Sequence, residues 1–289
     1  MKRPAAVAGR WYPDDAKRLA WDVDRYLAEA TPDAPSRRLR ALIAPHAGLI
    51  YSGPVAAFAY RQLQGASCKA VVLVGPSHFV PFSGVSVSTA EEWETPMGPI
   101  RVDTSLAEAI RAACPVVIDL PDAHRREHSL EMQLPFVARV LPGVPIVPLV
   151  MGHQTRGTAF ALGEALAHVL QNDPNDPNDP NDPNDPNDPN DPNVLLIASS
   201  DLSHYENAIT AARMDAVVIR HIDGFDDAGL MDTLEQDPRH ACGGGPIVSV
   251  LHAARRLGAN EARVVRYADS GDVSGDKTSV VGYLAAGIW

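Results

Sequence analysis

Short runs of apolar, often β-branched residues alternate along this chain with longer stretches whose apolar positions recur every three to four residues. The short runs predict strands at Ala41–Ala44, Ala70–Val74, Gly84–Ser88, Val116–Asp119, Pro145–Val150, Val194–Ser199, Ala262–Tyr267 and Ser279–Ala285. The longer stretches predict helices at Asp14–Ala30, Gly53–Leu63, Thr104–Ala113, Glu127–Val140, Thr155–Leu170, Ala208–His221 and Gly245–Leu257. Several strand candidates are apolar at every position, which is the pattern of a strand covered on both faces. The alternation predicts a three-layer α/β domain with a central, largely parallel or mixed sheet flanked by helices. Ligands of such folds bind at the carboxyl ends of the strands.

One segment breaks the pattern. Asn172–Pro192 is Asn-Asp-Pro repeated seven times. A proline at every third position forbids helix and removes ladder donors, so the repeat is expected to form an extended, solvated acidic loop. It lacks the glycine and closing glutamate of an EF-hand calcium loop. The 289-residue chain reads as a single domain spanning 1–289 with this loop at 172–192. Net charge is −11, of which the repeat carries seven charges, leaving −4. With no basic run, nucleic acid is not an expected partner. No apolar run has the length of a membrane span and the first residues lack a signal-like core, so a cytoplasmic protein without a membrane partner is expected. Three cysteines, an odd number in a long chain, suit free thiols in a reducing compartment.

Candidate chemistry stands at the ends of the predicted strands. Ala41–Ala44 runs into Pro45-His46-Ala47-Gly48, Ala70–Val74 into Gly75-Pro76-Ser77-His78, and Val194–Ser199 into Ser200-Asp201-Leu202-Ser203-His204. If these strands are neighbours in a parallel sheet, the three imidazoles meet at one edge, where they can bind a metal or move protons. Any one histidine alone would more often be a hydrogen-bonded or exposed residue. Cys242, in Ala241-Cys242-Gly243-Gly244-Gly245-Pro246, precedes a predicted helix, a setting that lowers a thiol's pKa and suits a metal ligand or nucleophile. Cys68 and Cys114 read as small buried hydrophobes. Asp201 and His204, three apart, read as an acid/base unit or as a ligand with its orienting carboxylate, and Asp201 equally as a helix cap.

His124-Arg125-Arg126-Glu127-His128 matches the H-x-x-E-H pattern of inverted zinc peptidases, which requires both histidines on one helical face. Pro121-Asp122 just ahead of it suggests a match that straddles a helix start. Glu127, His128 and Glu131 then read as lining the main pocket or capping that helix. Gly271–Thr278 is a poor phosphate loop because Asp276 breaks the Gly-Lys adjacency and would repel phosphate.

The strings Ala44-Pro45-His46-Ala47-Gly48 with Tyr51-Ser52-Gly53, Gly75-Pro76-Ser77-His78, Thr95-Pro96, Glu127-His128-Ser129-Leu130-Glu131 with Leu134-Pro135, Ser199-Ser200-Asp201 with His204, and Cys242-Gly243 resemble, in order, the signatures of the Memo-like family. Ala8–Tyr12 and Tyr267–Ser270 fit as well, so the resemblance covers nearly the whole chain. It implies the fold of the class III extradiol dioxygenases, and a metal site of His46, His78 and Cys242 with Asp201 and His204 beside it. A thiolate in place of a carboxylate makes the implied site softer, favouring iron or copper, with zinc also accommodated. Bacterial members are called AmmeMemoRadiSam system protein B, which implies a functional link to a radical-SAM protein. Three readings follow: a metal-dependent oxidoreductase of dioxygenase type, a non-catalytic adaptor that retains the pocket, and a zinc peptidase built on residues 124–128. In each, the expected ligand is a small molecule or a peptide in the pocket.

Overall fold

The computed structural model describes residues 1–35, 37–171 and 193–289; the repeat, and with it the expected acidic loop, lies outside the described residues. The amino-terminal third contains β1 (Lys2–Arg3), α1 (Ala16–Glu29), β2 (Ala41–Ala44), α2 (Leu49–Tyr60), β3 (Ala70–Pro76), β4 (Val85–Val87), β5 (Glu92–Trp93) and β6 (Ile100–Arg101). The middle contains α3 (Thr104–Ala113), β7 (Val117–Asp119), α4 (Pro121–Arg125), α5 (Leu134–Val140), β8 (Ile146–Met151) and α6 (Arg156–Gln171). The remainder contains β9 (Val194–Ser199), β10 (His204–Glu206), α7 (Ala208–Asp223), α8 (Asp227–Gln236), α9 (Gly244–Arg256), β11 (Ala262–Asp269), α10 (Gly271–Ser274) and β12 (Val280–Ile288).

The main sheet runs β10-β12-β2-β9-β3-β8-β4-β7, with β11 paired to β12. Its centre, β2-β9-β3-β8, is parallel throughout. β12 is antiparallel to β2, and β4 to β8, so the sheet is mixed around a parallel core. Side chains alternate across the pleat. Ile43, Val72, Val74, Leu196 and Ala198 face one core, built with α3, α6, α7 and α9. Leu42, Ala44, Val71, Leu73, Leu195 and Ile197 face the other, built with α1, α2 and α5. Both faces are covered, which is why these strands are apolar at every position and why the fold is three-layered. Among the described residues, no helix is long and apolar enough to cross a membrane.

The structure shifts several expected boundaries. α2 begins at Leu49 rather than Gly53, with Pro54 inside it. The carbonyl that Pro54 leaves without a helical donor belongs to Ile50, which is exposed, so water can take that bond. The helix expected over Glu127–Val140 forms only from Leu134, after a single 3₁₀ turn at Glu131–Gln133. The Glu127 carboxylate takes the backbone N–H groups of His128 and Ser129, at 2.8 and 2.9 Å, and so competes with helix formation there. α8 and the small sheet β1-β5-β6 were not anticipated. Strands of two residues carry no readable period.

Candidate metal centre

The carboxyl ends of β2, β9 and β3 lie side by side. His46, Asp201 and His78 follow their last residues, Ala44, Ser199 and Pro76, at the same offset. That register sets the three side chains at one edge of the sheet. Cys242 reaches the same edge from the loop before α9: its amide donates to the Asp201 carbonyl at 3.2 Å, and its Sγ accepts from the Asp201 amide at 3.2 Å. Gly243 is required here, since a Cβ would come within 2.4 Å of the Ser199 carbonyl oxygen. Gln154, just past β8, donates to the Cys242 carbonyl and accepts from the Gly245 amide, each at 2.7 Å. Four adjacent parallel strands therefore build the site.

Hydrogen bonds fix the histidine tautomers. Ser199 Oγ donates to the Ser129 carbonyl at 2.6 Å and accepts from Gln133 Nε2 at 2.7 Å. Its remaining capacity is as an acceptor, so His46 Nδ1, 2.9 Å away, is the donor. His46 Nε2 is left with a lone pair, 3.3 Å from Cys242 Sγ. At His78 the Nδ1 donates to Glu127 Oε1 at 2.8 Å and the backbone amide to Oε2 at 2.6 Å, again freeing Nε2. Burial acts to raise the Glu127 pKa, but the contacts from His78 and the Ser129 amide outweigh it and hold the carboxyl at about 2. Glu127 is thus a permanent carboxylate, and it orients a histidine as metal sites do.

His128 completes a cluster of three imidazoles. Its ring stacks on His78 at 4.4 Å and lies 4.2 Å from Trp11 and 5.6 Å from His46. Its Nδ1 is buried and, though 3.5 Å from a Glu127 oxygen, makes no hydrogen bond. Burial and the neighbouring imidazoles hold its pKa at about 3. Burial, with His78 next to it, also keeps His46 neutral.

Four of the five residues expected from sequence fall into two sets of donor atoms that share His46; the first set also takes in His128, and His204 belongs to neither. Donor atoms of His46, His78 and His128 lie within 4.8 Å of one another, and so do those of His46, Asp201 and Cys242. Asp201 Oδ1 accepts from the backbone amides of His46 and Ala47, at 2.7 and 3.3 Å. Burial raises the Asp201 pKa, against which His204 acts. His204 Nδ1 donates to the Leu202 carbonyl at 2.9 Å, leaving Nε2 free to accept a proton. The expected lowering of the Cys242 pKa is corrected: burial raises it, and the Asp201 carboxylate adds to that. Among the chain's own groups Cys242 is a thiol, because a buried site beside a carboxylate outweighs the amide dipoles of a helix start.

Residues 124–128 do not make a zinc peptidase site. α4 ends at Arg125, so His124 and His128 share no helical face. His124 points instead to Ser86 Oγ at 3.0 Å and to Trp93. Glu131, expected in the pocket or as a cap, is fully buried against the amino-terminal segment: its carboxylate accepts from Arg3, the amides of Ala6 and Val7, and the Tyr12 hydroxyl. Sequence reasoning missed Ser199, Gln133 and Gln154, and left His128 among the lining residues. Only the presence of Ser199 and His128 within family strings could have drawn attention to them.

A family model described as Memo-like protein matches residues 3–178 and 187–287. The chain belongs to the Memo-like family. A MEMO1 family protein of Methanothermobacter thermautotrophicus is 37% identical over 98% of this chain and 99% of its own length. One from Methanopyrus kandleri is 36% identical over 99% and 98%, and one from Methanosarcina mazei 37% over 99% and 98%. The Memo-like match is interrupted only inside the Asn-Asp-Pro repeat, so every residue of the pocket lies within it.

Proposed function

We propose that this Memo-like protein is a metal-dependent oxidoreductase of the dioxygenase type, with His46, His78 and Cys242 as the ligands of iron or copper. One observation carries the reading: the Nδ1 atoms of His46 and His78 are both committed to fixed acceptors, so both Nε2 atoms present their lone pairs to the pocket, that of His46 3.3 Å from the Cys242 sulfur. The unpartnered Nδ1 of His128 adds a further donor lone pair or proton at the same place. Two imidazoles with one sulfur suit iron or copper, with zinc also accommodated. Such an ion, when bound, supplies Lewis acidity and electron transfer.

The chain's own groups supply the rest. Asp201 pins the His46 backbone. His204 accepts the hydroxyl proton of a phenolic small molecule at Nε2, its Nδ1–H held by the Leu202 carbonyl. His46 is buried and Cys242 half-buried, whereas His78 is exposed and leaves the pocket open to a small molecule on its side. The three free thiols suit a reducing, cytoplasmic setting. Oxygen uptake by anaerobically loaded protein with a panel of phenols tests the reading. His204→Ala should lower turnover roughly 10²- to 10⁴-fold with metal content unchanged. Absence of uptake with every phenol, or turnover indifferent to His204, would sink it.

A further inference from the structure

The amino-terminal segment is tied to the pocket by groups that the chemistry above does not use. Arg3 lies in β1, is 5% exposed, and sits over the Trp93 ring at 4.1 Å. Its guanidinium reaches three acceptors on one stretch of chain: Nε donates to the His124 carbonyl at 2.9 Å, Nη2 to the Glu127 carbonyl, and Nη1 to the Glu131 carboxylate. Glu131 returns the tie by accepting from the Ala6 and Val7 amides, at 2.8 and 3.0 Å, and from the Tyr12 hydroxyl at 2.6 Å. Between these anchors lie Glu127, which orients His78, and His128, whose ring contacts Trp11. Residues 126–130 are irregular and have no helical ladder to set them. A buried ion pair is weak support for stability, because desolvation consumes most of its Coulomb energy. A planar fork that reaches three acceptors in three directions does, however, fix geometry, and a lysine cannot copy it.

We propose that Arg3 is a positioning residue for the metal pocket: from the amino-terminal strand it sets the backbone of residues 124–131, and through it the Glu127 carboxylate that orients His78. This rests on the metal-pocket reading. The chain's first dozen residues are thereby part of the site's framework, and metal binding is coupled to their order.

Co(II) titration of the full chain, followed by its visible spectrum, tests this with Arg3→Lys, Glu127→Gln and the double variant. Arg3→Lys should weaken Co(II) binding about 10-fold and shift the ligand-field bands, the usual scale for loss of a group that orients a metal ligand. The double variant should bind no more weakly than Glu127→Gln, because the two act along one path. Wild-type affinity and spectrum in Arg3→Lys, with only a lowered Tm, would overturn the proposal, as would additive losses. If Arg3→Lys fails to fold, the wild-type protein still decides the matter: Co(II) should slow hydrogen exchange at the Ala6 and Val7 amides, and unchanged exchange there would overturn it. Failure of the underlying reading looks different, because wild-type protein would then bind no Co(II) at the pocket, or His46→Ala would bind it equally well.

Discussion

The two donor sets that share His46 are built by opposite means. On the imidazole side, His46 and His78 are held in one tautomer by Ser199 and by Glu127, and every partner is itself satisfied. On the thiol side, Asp201 is buried with the half-buried Cys242 against it, and desolvation raises the pKa of each, with the carboxylate adding to the shift at the sulfur. One half is preorganised at His46 and His78, with only the His128 Nδ1 left unpartnered in that set. The other holds two groups that resist ionising side by side, and a cation is what would relieve it. On the proposed reading, the imidazole half would set where a metal sits, and the thiol half would gain most from its arrival.

Removing the shared residue should have the largest effect. His46→Ala is expected to weaken metal binding by more than about 100-fold, since it takes a ligand from both sets; isothermal titration or competition with a chelator reads this. Glu127→Gln breaks the imidazole half alone and should cost roughly 10- to 100-fold in metal affinity. It should also remove an acid dependence. With a folded pKa of about 2 against the usual 4.5, Glu127 contributes stability that is fully present above pH 4.5 and lost as pH falls toward 2, on the order of 3 kcal/mol. Urea unfolding of wild type and variant across that range measures the difference. Ser199→Ala leaves the His46 Nδ1–H without an acceptor, and a loss of about 10-fold in metal affinity is expected.

The smallest effect on metal tests the comparison from outside. His124 is buried and neutral, its pKa pushed by burial and by Arg3 down to about 3. Its contribution is present above pH 6.5 and falls by about 1.4 kcal/mol per pH unit between 6.5 and 3, because the unfolded chain takes up the proton first. His124→Gln should flatten that slope in urea unfolding and leave metal affinity unchanged. A matching loss of metal would place His124 in the site and revive a role for the H-x-x-E-H string.

Much of this was legible in the chain itself. The parallel centre could be read because β2, β3 and β9 are apolar on both faces. The pocket could be read because His46, His78 and Asp201 immediately follow those strands. What could not be read depends on neighbours brought from elsewhere. Nothing local marks Gln133 or Gln154 as the groups that set the Ser199 hydroxyl and the Cys242 loop. The helix misassigned across Glu127–Gln133 has a good apolar period, but the Glu127 carboxylate, held in place by His78, captures the amides of His128 and Ser129 and competes with it. The Cys242 thiol was misjudged for a similar reason: the helix start was visible in the sequence, but the buried Asp201 beside it was not.

Elemental analysis of anaerobically purified protein, wild type beside His46→Ala, bears most directly on the pocket as a metal centre. About one iron or copper per chain in the wild type and none in His46→Ala is the expected result. A wild-type protein that carries no metal and takes up none, or a His46→Ala protein that holds as much as wild type, would contradict it.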